Sequence, residues 1–524
     1  MAFSTPYKTA QRDWYKVQVQ DAKLFVSDDI VEYGHEFESH LGFYGRKKVM
    51  VKRMVRSDEN IERMEREYTN LEAFQKHPNI LEWVTFDEDA RYLYLSQERW
   101  SFSLEELVKY LRSLNTQSPQ QPPEHLDKYI KYNNMILDKA SIGSLMLDLM
   151  EQVARGLKHL QEMGYVHRDL NPKNIVIVCG TEFMTAKIAN FCTTEDSNMV
   201  SRFKHKTISH YHTGFQPQEQ INNNKERINN TFESTQGQSK AKKIPPETKD
   251  ADLFSFGCIL FYSLTLGDHP FGASHGSAAE VSICHNKLDL SKCESEEAKF
   301  LLGILLHATP TERSRLKISV TNNPVFWKAE KKLNFFRDVS DIMNTNGSTS
   351  TRIKSLVEAA YARVAGNWNT LIDSQIVTHI RTDYQNKTGR TLHPKHFKEV
   401  RSLIRLIRNQ HSHFWEQSSN IQALYMGTLE GMEEYYSGIF PGLLTTVYRE
   451  VWSVMRLSLA GSVRKVILMI WNNQKVRKAL EKTRDLSIPD EYDVVIFRGI
   501  ASIISDLFQS GGFEAQMRLI TSRH

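Results

Sequence analysis

The feature that most constrains the fold is a polar loop at residues 167–174, which lies between a helical pattern and a run of β-branched residues. Before the loop, apolar residues recur at helical spacing, and the stripe consists of Leu147, Met150, Ala154 and Leu157. The loop carries His167-Arg168-Asp169, with Asn174 five residues after the aspartate, and residues 175–178 read Ile-Val-Ile-Val. This order predicts a charged loop that a helix and a buried strand hold in place.

Other residues follow in a fixed order along the chain. They are Lys52 in a predicted strand at 49–54, Glu67 in a predicted helix at 58–76, Pro217-Gln218-Glu219, Asp252 with Ser255 and Gly257, and Arg313. Together with the loop, this order resembles that of the protein kinases. The resemblance implies a bilobal α+β protein-kinase-like fold over residues 30–325, with residues 1–29 as a lead-in. It also implies a nucleotide site at Lys52, Glu67, Asn174 and Asn190, and a kinase-like catalytic loop at His167, Arg168 and Asp169.

Departures from the kinase pattern remove charge from the implied phosphate site. The segment Gly34-His35-Glu36 has one glycine, and it has a carboxylate where phosphate would approach. Asn190 stands where kinases have the aspartate that binds Mg²⁺, and Asn171 stands where they have a lysine. We therefore expect a pseudokinase, with ATP or ADP as a weak regulatory ligand. An empty structural fold is the equal alternative, and a role for Mg²⁺ is left open.

Composition limits the class of protein. The 524-residue chain is 40% hydrophobic and 25% charged, as in soluble globular proteins, and its net charge of +5 restricts any RNA site to a local patch. Five cysteines without a CxxC pair indicate free thiols in a reducing compartment, and we expect a cytoplasmic protein. No apolar run opens the sequence, and residues 253–266 are too few to span a bilayer, so we expect no signal peptide and no membrane segment. The polar run at residues 221–249 predicts a disordered insert.

A second pattern lies at residues 397–415. Val400, Leu403, Ile404 and Ile407 form an apolar stripe at helical spacing, and Arg401, Arg405 and Arg408 lie on a neighbouring face. Guanidinium groups there would bind phosphate. Asn409 and His413 follow, and histidine gives or takes a proton near neutral pH. These are the groups needed to cleave RNA through its own 2′-hydroxyl, a reaction that requires no metal.

Two other interpretations of this second pattern compete with the nuclease. A basic amphipathic helix ending in histidines is often a solvated surface helix. His393, His396, His411 and His413 could also form a zinc site, although their spacing suits chelation poorly and no cysteine lies nearby. We expect no metal site, and we expect His411 to be solvated.

The residues after 325 resemble one family, the kinase-extension nucleases. This family comprises the unfolded-protein-response kinase/endoribonuclease of the endoplasmic reticulum and ribonuclease L. The matching residues are Phe335-Phe336 with Asp338, Val339, Ser340 and Asp341, then Trp368, Arg408-Asn409 with His413, Phe440-Pro441 with Leu443-Leu444, and Tyr448-Arg449. The resemblance implies an all-α ribonuclease domain at residues 326–450. No linker follows Trp327, so we expect this domain to pack rigidly on the kinase-like part. Residues 451–524 contain amphipathic helical patterns without a functional motif.

The resemblance also implies roles for individual residues. His413 would be the general acid for the leaving 5′-oxygen, and Arg408 and Asn409 would hold the phosphate. The product would be a 2′,3′-cyclic phosphate, so DNA would not be cut. Homodimers would be the active form, and a separate protein could supply the sensor. The family's loop tyrosine has no clear counterpart, since Tyr384 is distant, and His393 or His396 could substitute.

Two alternative functions belong to other classes. An active Ser/Thr protein kinase is favoured by Asp169 and opposed by Glu36, Asn171 and Asn190. A catalytically silent signalling scaffold is opposed by the presence of Arg408, Asn409 and His413.

Overall fold

A computed structural model describes residues 14–16, 24–33, 37–74, 76–114, 139–180, 183–196, 214–235, 244–245, 248–272, 276–315 and 320–455. The chain divides into two compact units, Met1–Trp327 and Lys328–His524. The predicted Gly34-His35-Glu36 segment and the helices predicted beyond residue 455 lie outside the described residues.

The first unit begins with an antiparallel sheet of six strands. These are β1 (Trp14–Lys16), β2 (Leu24–Tyr33), β3 (Glu38–Tyr44), β4 (Lys47–Val55), β5 (Trp83–Glu88) and β6 (Tyr92–Glu98), in the order β1-β2-β3-β4-β6-β5. Helix α1 (Asp58–Ala73) follows β4, and the Ser57 side chain caps it by accepting a hydrogen bond from the Asn60 amide at 3.2 Å. Helix α1 packs against β5 and β6. The strand predicted around Lys52 and the helix predicted around Glu67 are confirmed.

The rest of the first unit is mainly helical. Its elements are β7 (Phe102–Ser103), α2 (Leu104–Leu114), α3 (Lys139–Glu162), β8 (Tyr165–Val166), β9 (Ile175–Cys179), β10 (Met184–Ile188), β11 (Glu195–Asp196), α4 (Gln218–Thr235), α5 (Lys249–Leu264), α6 (Ser277–Cys284), α7 (Glu296–Leu305) and α8 (Pro310–Arg315). Helix α5 is buried almost throughout. A Cβ atom at Gly257 would lie 2.9 Å from side-chain atoms of Leu305 and Leu306, so glycine permits this close packing.

The predicted disordered insert at residues 221–249 is wrong over residues 221–235, which belong to helix α4. The carbonyl of Pro217 accepts hydrogen bonds from the amides of Gln220 and Ile221, both at 3.0 Å, and so starts the helix. Ile221 is only 3% exposed and joins the core of this unit. The run is rich in asparagine and glutamine, but its first turn is anchored by Ile221, by the buried Gln220, whose Nε2 donates to the carbonyl of Arg168 at 2.5 Å, and by the ion pair of Glu219 with Arg313.

The second unit is all-α over its described residues, as predicted. Its helices are α9 (Ala329–Asn344), α10 (Ser348–Ala365), α11 (Ser374–Thr388), α12 (Val400–Ser412), α13 (Ser419–Leu424) and α14 (Leu429–Ile439), and residues 443–455 are also helical. Helix α12 packs against α9 and α10. Its predicted stripe is confirmed, since Val400, Leu403, Ile404 and Ile407 are all 0% exposed.

Trp368 packs beside the start of α12. Its side chain is 0% exposed, and its indole N–H donates to the carbonyl of Glu399, the residue before α12, at 3.2 Å. Its ring packs edge-on against Phe397 at 5.0 Å between centroids. Trp368 thus supports the backbone before α12, and the Glu358 carboxylate caps the helix by accepting from the amides of Val400 at 2.9 Å and Arg401 at 3.0 Å.

Among the described helices, none is both long and apolar enough to cross a bilayer.

Candidate functional site

The predicted nucleotide site of the first unit is built on a buried ion pair. The Nζ atom of Lys52, on β4, lies 2.6 Å from Oε2 of Glu67, on α1, and the two side chains are 7% and 1% exposed. The same Nζ donates to Oδ1 of Asn190 at 3.0 Å. It also lies 4.4 Å from the centroid of the Phe37 ring. The structure therefore brings together Lys52, Glu67 and Asn190.

The catalytic-loop residues are held by helix α5. The carboxylate of Asp252 accepts hydrogen bonds from the backbone amides of His167 at 2.7 Å and Arg168 at 2.9 Å. Arg168 has a φ of 72°, a left-handed conformation that is uncommon for residues other than glycine. The two hydrogen bonds to Asp252 help to stabilise it. Burial raises the pKa of the Asp252 carboxyl, so the charge that holds the loop depends on these donors.

The side-chain amides of Asn171 and Asn174 both donate hydrogen bonds to Asp169, the aspartate of the kinase-like catalytic loop. Asn171 donates to the Asp169 carbonyl at 2.9 Å and to its Oδ1 at 3.3 Å. Asn174 donates to the same carbonyl at 2.7 Å and to Oδ2 at 2.9 Å. The Asn171 Oδ1 atom also accepts from the amides of Lys173 and Asn174 and caps the 3₁₀ turn there. Asn171 is thus a structural replacement for the lysine of the kinase pattern and brings no charge to a phosphate.

Asn190 replaces the metal-binding aspartate without offering a charged ligand. Its Nδ2 atom donates to Oδ1 of Asn174 at 3.2 Å, so the two amides satisfy each other. In the described parts of the chain, no group of three or more His, Cys, Asp or Glu side chains is arranged to hold a metal ion. Lys52 fits the phosphates of a nucleotide, whereas neutral amides fit Mg²⁺ poorly.

The Cys192 thiol borders this site, since its Sγ atom lies 3.3 Å from Oδ1 of Asn190. Burial raises the pKa of Cys192 to about 11, so little thiolate forms near neutral pH. We expect iodoacetamide to label Cys192 roughly a hundredfold more slowly at pH 8 than an ordinary thiol, with about a tenfold gain per pH unit up to pH 10. Mass spectrometry of the Cys192 peptide measures this, with urea-unfolded protein as the reference. Equal rates in the folded and unfolded chains would contradict the burial effect.

The candidate nuclease residues of the second unit meet at the end of helix α12. Oδ1 of Asn409 accepts from Nη1 of Arg408 at 3.2 Å, and the Asn409 carbonyl accepts from the amide of His413 at 3.1 Å in the last backbone hydrogen bond of the helix. His413 follows the last helical residue, and its side chain is 63% exposed. Its Nδ1 atom lies 2.9 Å from Oε2 of Glu416. The imidazole is therefore oriented by a carboxylate on Nδ1, which leaves Nε2 toward solvent.

Carboxylates partly neutralise the predicted row of arginines. Nη2 of Arg408 lies 3.0 Å from Oδ1 of Asp341 on α9, and Nη2 of Arg401 lies 3.0 Å from Oε2 of Glu399. Arg405 is exposed and forms no ion pair with another described residue. A phosphate at this helix end would compete with Asp341 for Arg408.

Two glutamines, which the sequence analysis missed, hold the turn after His413. Nε2 of Gln417 donates to the carbonyl of Gln410 at 2.7 Å. Nε2 of Gln422 donates to the carbonyls of Phe414 at 3.2 Å and Gln417 at 3.1 Å. These contacts restrain the backbone on which the imidazole is mounted. Glutamines in a polar segment have no sequence pattern that would have revealed this role.

The remaining predicted histidines are dispersed. His411 is half-buried, and burial and then Arg337 lower its pKa, so the prediction of a solvated side chain is wrong. The helix turns His411 toward α9, which carries Arg337. The exposed His393 caps the 3₁₀ helix Pro394–Lys398 by accepting from the Lys395 amide. His396 lies 6.0 Å from Trp368 between ring centroids, and Tyr384 is half-buried on α11. No zinc ligand cluster occurs within the described ranges.

The first unit thus has the two-part architecture and loop geometry of a protein kinase, and a helical unit with a phosphate-binding pattern follows it. The family model described as protein tyrosine and serine/threonine kinase matches residues 33–321. The family model described as ribonuclease 2-5A matches residues 332–459. The chain belongs to the kinase-extension nuclease family, in which a protein-kinase domain precedes a helical ribonuclease domain.

Curated relatives cover both units. The serine/threonine-protein kinase/endoribonuclease IRE1b of Arabidopsis thaliana is 31% identical over 441 residues, which are 81% of this chain and 46% of the relative. IRE1a of the same plant is 31% identical over 82% of this chain and 49% of its own length. A third Arabidopsis protein, named as an inactive serine/threonine-protein kinase/endoribonuclease IRE1-like, is 28% identical over 82% of this chain and 76% of its own length. The chain spans about half the length of the first two relatives.

Proposed function

We propose that this chain is an endoribonuclease that cleaves RNA through the 2′-hydroxyl and leaves a 2′,3′-cyclic phosphate. The observation that carries the proposal is the placement of Arg408, Asn409 and His413 at the end of α12, where Arg408 contacts the Asn409 side chain and His413 is exposed. A cationic group, an amide and an imidazole thus lie within six residues of one another in the unit that the ribonuclease 2-5A model matches.

The chemistry assigns one task to each group. The 2′-hydroxyl gives its proton to water as its oxygen attacks phosphorus, and the bond from phosphorus to the 5′-oxygen breaks. His413 gives the proton of Nε2 to that leaving oxygen, while Glu416 stays on Nδ1 and orients the ring. Arg408 and Asn409 bind the non-bridging oxygens and stabilise the charge that develops on them. No step needs a metal ion or another cofactor.

The test of this function is cleavage of a short RNA in EDTA, beside the same RNA with a single 2′-deoxy nucleotide at the cleaved position. The proposal expects cleavage of the first RNA, a cyclic-phosphate end by mass spectrometry, and no cleavage at the deoxy position. Cleavage at the deoxy position, or cleavage that requires added metal, would overturn it. A DNA strand of the same sequence serves as the control.

We further propose that the first unit, residues 30–325, is a nucleotide-binding pseudokinase that controls pairing of the ribonuclease domain, residues 326–450. Lys52 supports nucleotide binding, because it is held by Glu67 in a buried ion pair. The amides on Asp169 and the neutral Asn190 disfavour phosphoryl transfer. The relatives named as serine/threonine-protein kinases make an active kinase the second candidate. Incorporation of labelled phosphate from ATP into the chain or a substrate protein would favour that candidate.

Mg²⁺ is expected to have no effect on ATP binding by the natural chain, because Asn190 offers no charge to the ion. The Asn190→Asp variant should bind ATP more tightly with Mg²⁺ than without it, by about tenfold, since a carboxylate is a good Mg²⁺ ligand. Isothermal titration with ATP, with and without Mg²⁺, measures both. Asn190→Ser is the matched control, since it changes the side chain without adding charge. Tighter binding with Mg²⁺ in the natural chain would contradict the expectation.

Homodimers are the proposed active form. If pairing creates the active state, specific activity rises with chain concentration in the range where dimers appear in sedimentation. A specific activity that is constant across that range would argue against dimer control.

A reducing compartment, the cytoplasm, is the proposed location, and all five cysteines are free thiols in the structure.

A further inference from the structure

The side chain of Trp415 is unusually exposed for a tryptophan. At 77% it has the highest exposed fraction of the large hydrophobic side chains in the described residues. It lies two residues after His413, in the short 3₁₀ helix Phe414–Glu416. An indole left in water costs free energy that burial would recover, so its position beside the candidate general acid calls for an explanation.

The backbone around Trp415 is well anchored although the indole is exposed. The preceding Phe414 is only 1% exposed, and its ring packs against Tyr425 at 6.2 Å and against the Trp415 ring at 5.0 Å between centroids. Nε2 of Gln422 also donates toward the Trp415 carbonyl at 3.4 Å. The ring is therefore presented from a fixed backbone, which lowers the entropy cost of binding a ligand.

The neighbouring exposed residues indicate what kind of ligand fits. Ser412, His413, Glu416 and Ser418 are all exposed and polar, so the neighbours of the indole along the chain are polar groups. A protein partner is normally bound by a contiguous apolar patch. A single aromatic face among polar groups suits a planar ligand that stacks on it and keeps its polar edges in water.

We propose that Trp415 is a stacking platform for an unpaired nucleobase next to the phosphodiester that is cleaved. This inference rests on the proposed nuclease function and deepens it, because it assigns a residue that positions the RNA beside His413. A base can stack on the indole only after it leaves the helical stack of a duplex, so the substrate is RNA that is single-stranded at the cleaved position. Trp415 is a positioning residue, while His413 performs the proton transfer.

The first experiment measures binding, which does not depend on cleavage. The probe is a short single-stranded RNA with one 2′-deoxy nucleotide at the cleaved position, and the full chain is titrated against it. Trp415→Ala should weaken binding by about 5- to 150-fold, the range that loss of one stacked base produces, and Trp415→Phe should retain most of it. Met426→Ala is the control, because Met426 is 68% exposed in the same unit.

A second experiment identifies the stacked base. Abasic sites are placed one at a time on either side of the cleaved bond in the all-ribose RNA, and kcat/KM is measured for the natural chain and for Trp415→Ala. At one abasic position, kcat/KM of the natural chain should fall by the same factor as it does when Trp415 is replaced by alanine. The same abasic RNA should cause little further loss of kcat/KM in Trp415→Ala, because the stacking contact is already absent. Fully additive losses at every position would overturn the inference.

Other outcomes are equally decisive. Equal binding by the natural chain and Trp415→Ala would overturn the inference and leave the nuclease proposal standing. Binding that depends on Trp415 without any cleavage would retain the stacking of a base on Trp415 and overturn the nuclease function, and with it the placement of that base beside a cleaved bond. If Trp415→Ala shifts the chain from dimer to monomer in sedimentation and its RNA binding is restored at high chain concentration, the indole contacts a second copy rather than a base, and the inference fails.

Discussion

Replacing His413 by alanine is expected to lower the rate of RNA cleavage by about 10²–10⁴-fold, the usual contribution of a positioned proton donor. The loss arises because alanine has no group that could give a proton to the leaving 5′-oxygen. The side chain is 63% exposed, so its removal should leave the unfolding temperature unchanged within error. Single-turnover cleavage measures the chemical step, and differential scanning fluorimetry measures stability.

The matched control for His413→Ala is His379→Ala, since His379 is an exposed histidine of the same unit, on α11. Added imidazole should restore part of the rate of His413→Ala and leave His379→Ala unaffected. A His413→Ala chain that cleaves at the natural rate would rule out this residue as the general acid. A loss of rate accompanied by a lower unfolding temperature would point to misfolding instead.

Replacing Trp368 by alanine is expected to cost about 3–5 kcal/mol of folding free energy, the range measured for truncating fully buried aromatic residues. The side chain is 0% exposed, and the variant would lose both the packing on Phe397 and the hydrogen bond to the Glu399 carbonyl. Because that carbonyl lies at the start of α12, RNA cleavage should fall together with stability.

Hydrogen–deuterium exchange of the full chain locates the effect. Peptides from residues 397–412 should exchange faster in Trp368→Ala, and peptides from residues 249–264 should be unchanged, because the second range lies in the core of the other unit. Trp368→Phe is the control that keeps a ring and loses only the N–H donor, and it should cost less. Faster exchange in both ranges would show that the substitution acts through the whole chain.

The fold of the first unit could be predicted because each element has its own short sequence pattern, and these patterns follow one another in the order found in protein kinases. A strand with Lys52, a helix with Glu67 and a loop with Asp169 each have a pattern of their own, and the kinase order placed them in one site. What the sequence could not show is how neutral residues replace charged ones. Asn171 caps a turn and binds Asp169, and that role depends on three-dimensional geometry rather than on spacing.

In the second unit too, the residues could be predicted from the sequence but their contacts could not. The apolar stripe of α12 and the candidate residues Arg408, Asn409 and His413 follow from local patterns. Their partners do not, because Asp341 contacts Arg408 from a helix that is distant in sequence, and Gln422 donates to backbone carbonyls that precede it. Helix α4 was missed for another reason, since the anchors of its first turn order a segment whose composition resembles a loop.

Asn171 also bears on how this chain could change over evolutionary time. A single substitution to lysine would remove the cap of the 3₁₀ turn and two hydrogen bonds to Asp169. Losing a helix cap costs about 0.5–2 kcal/mol, and the lysine would gain nothing until Asn190 also became acidic and bound a metal. For the proposed pseudokinase, the step at Asn171 would thus cost stability without restoring phosphoryl transfer, and the amide network opposes a return to kinase activity by single substitutions.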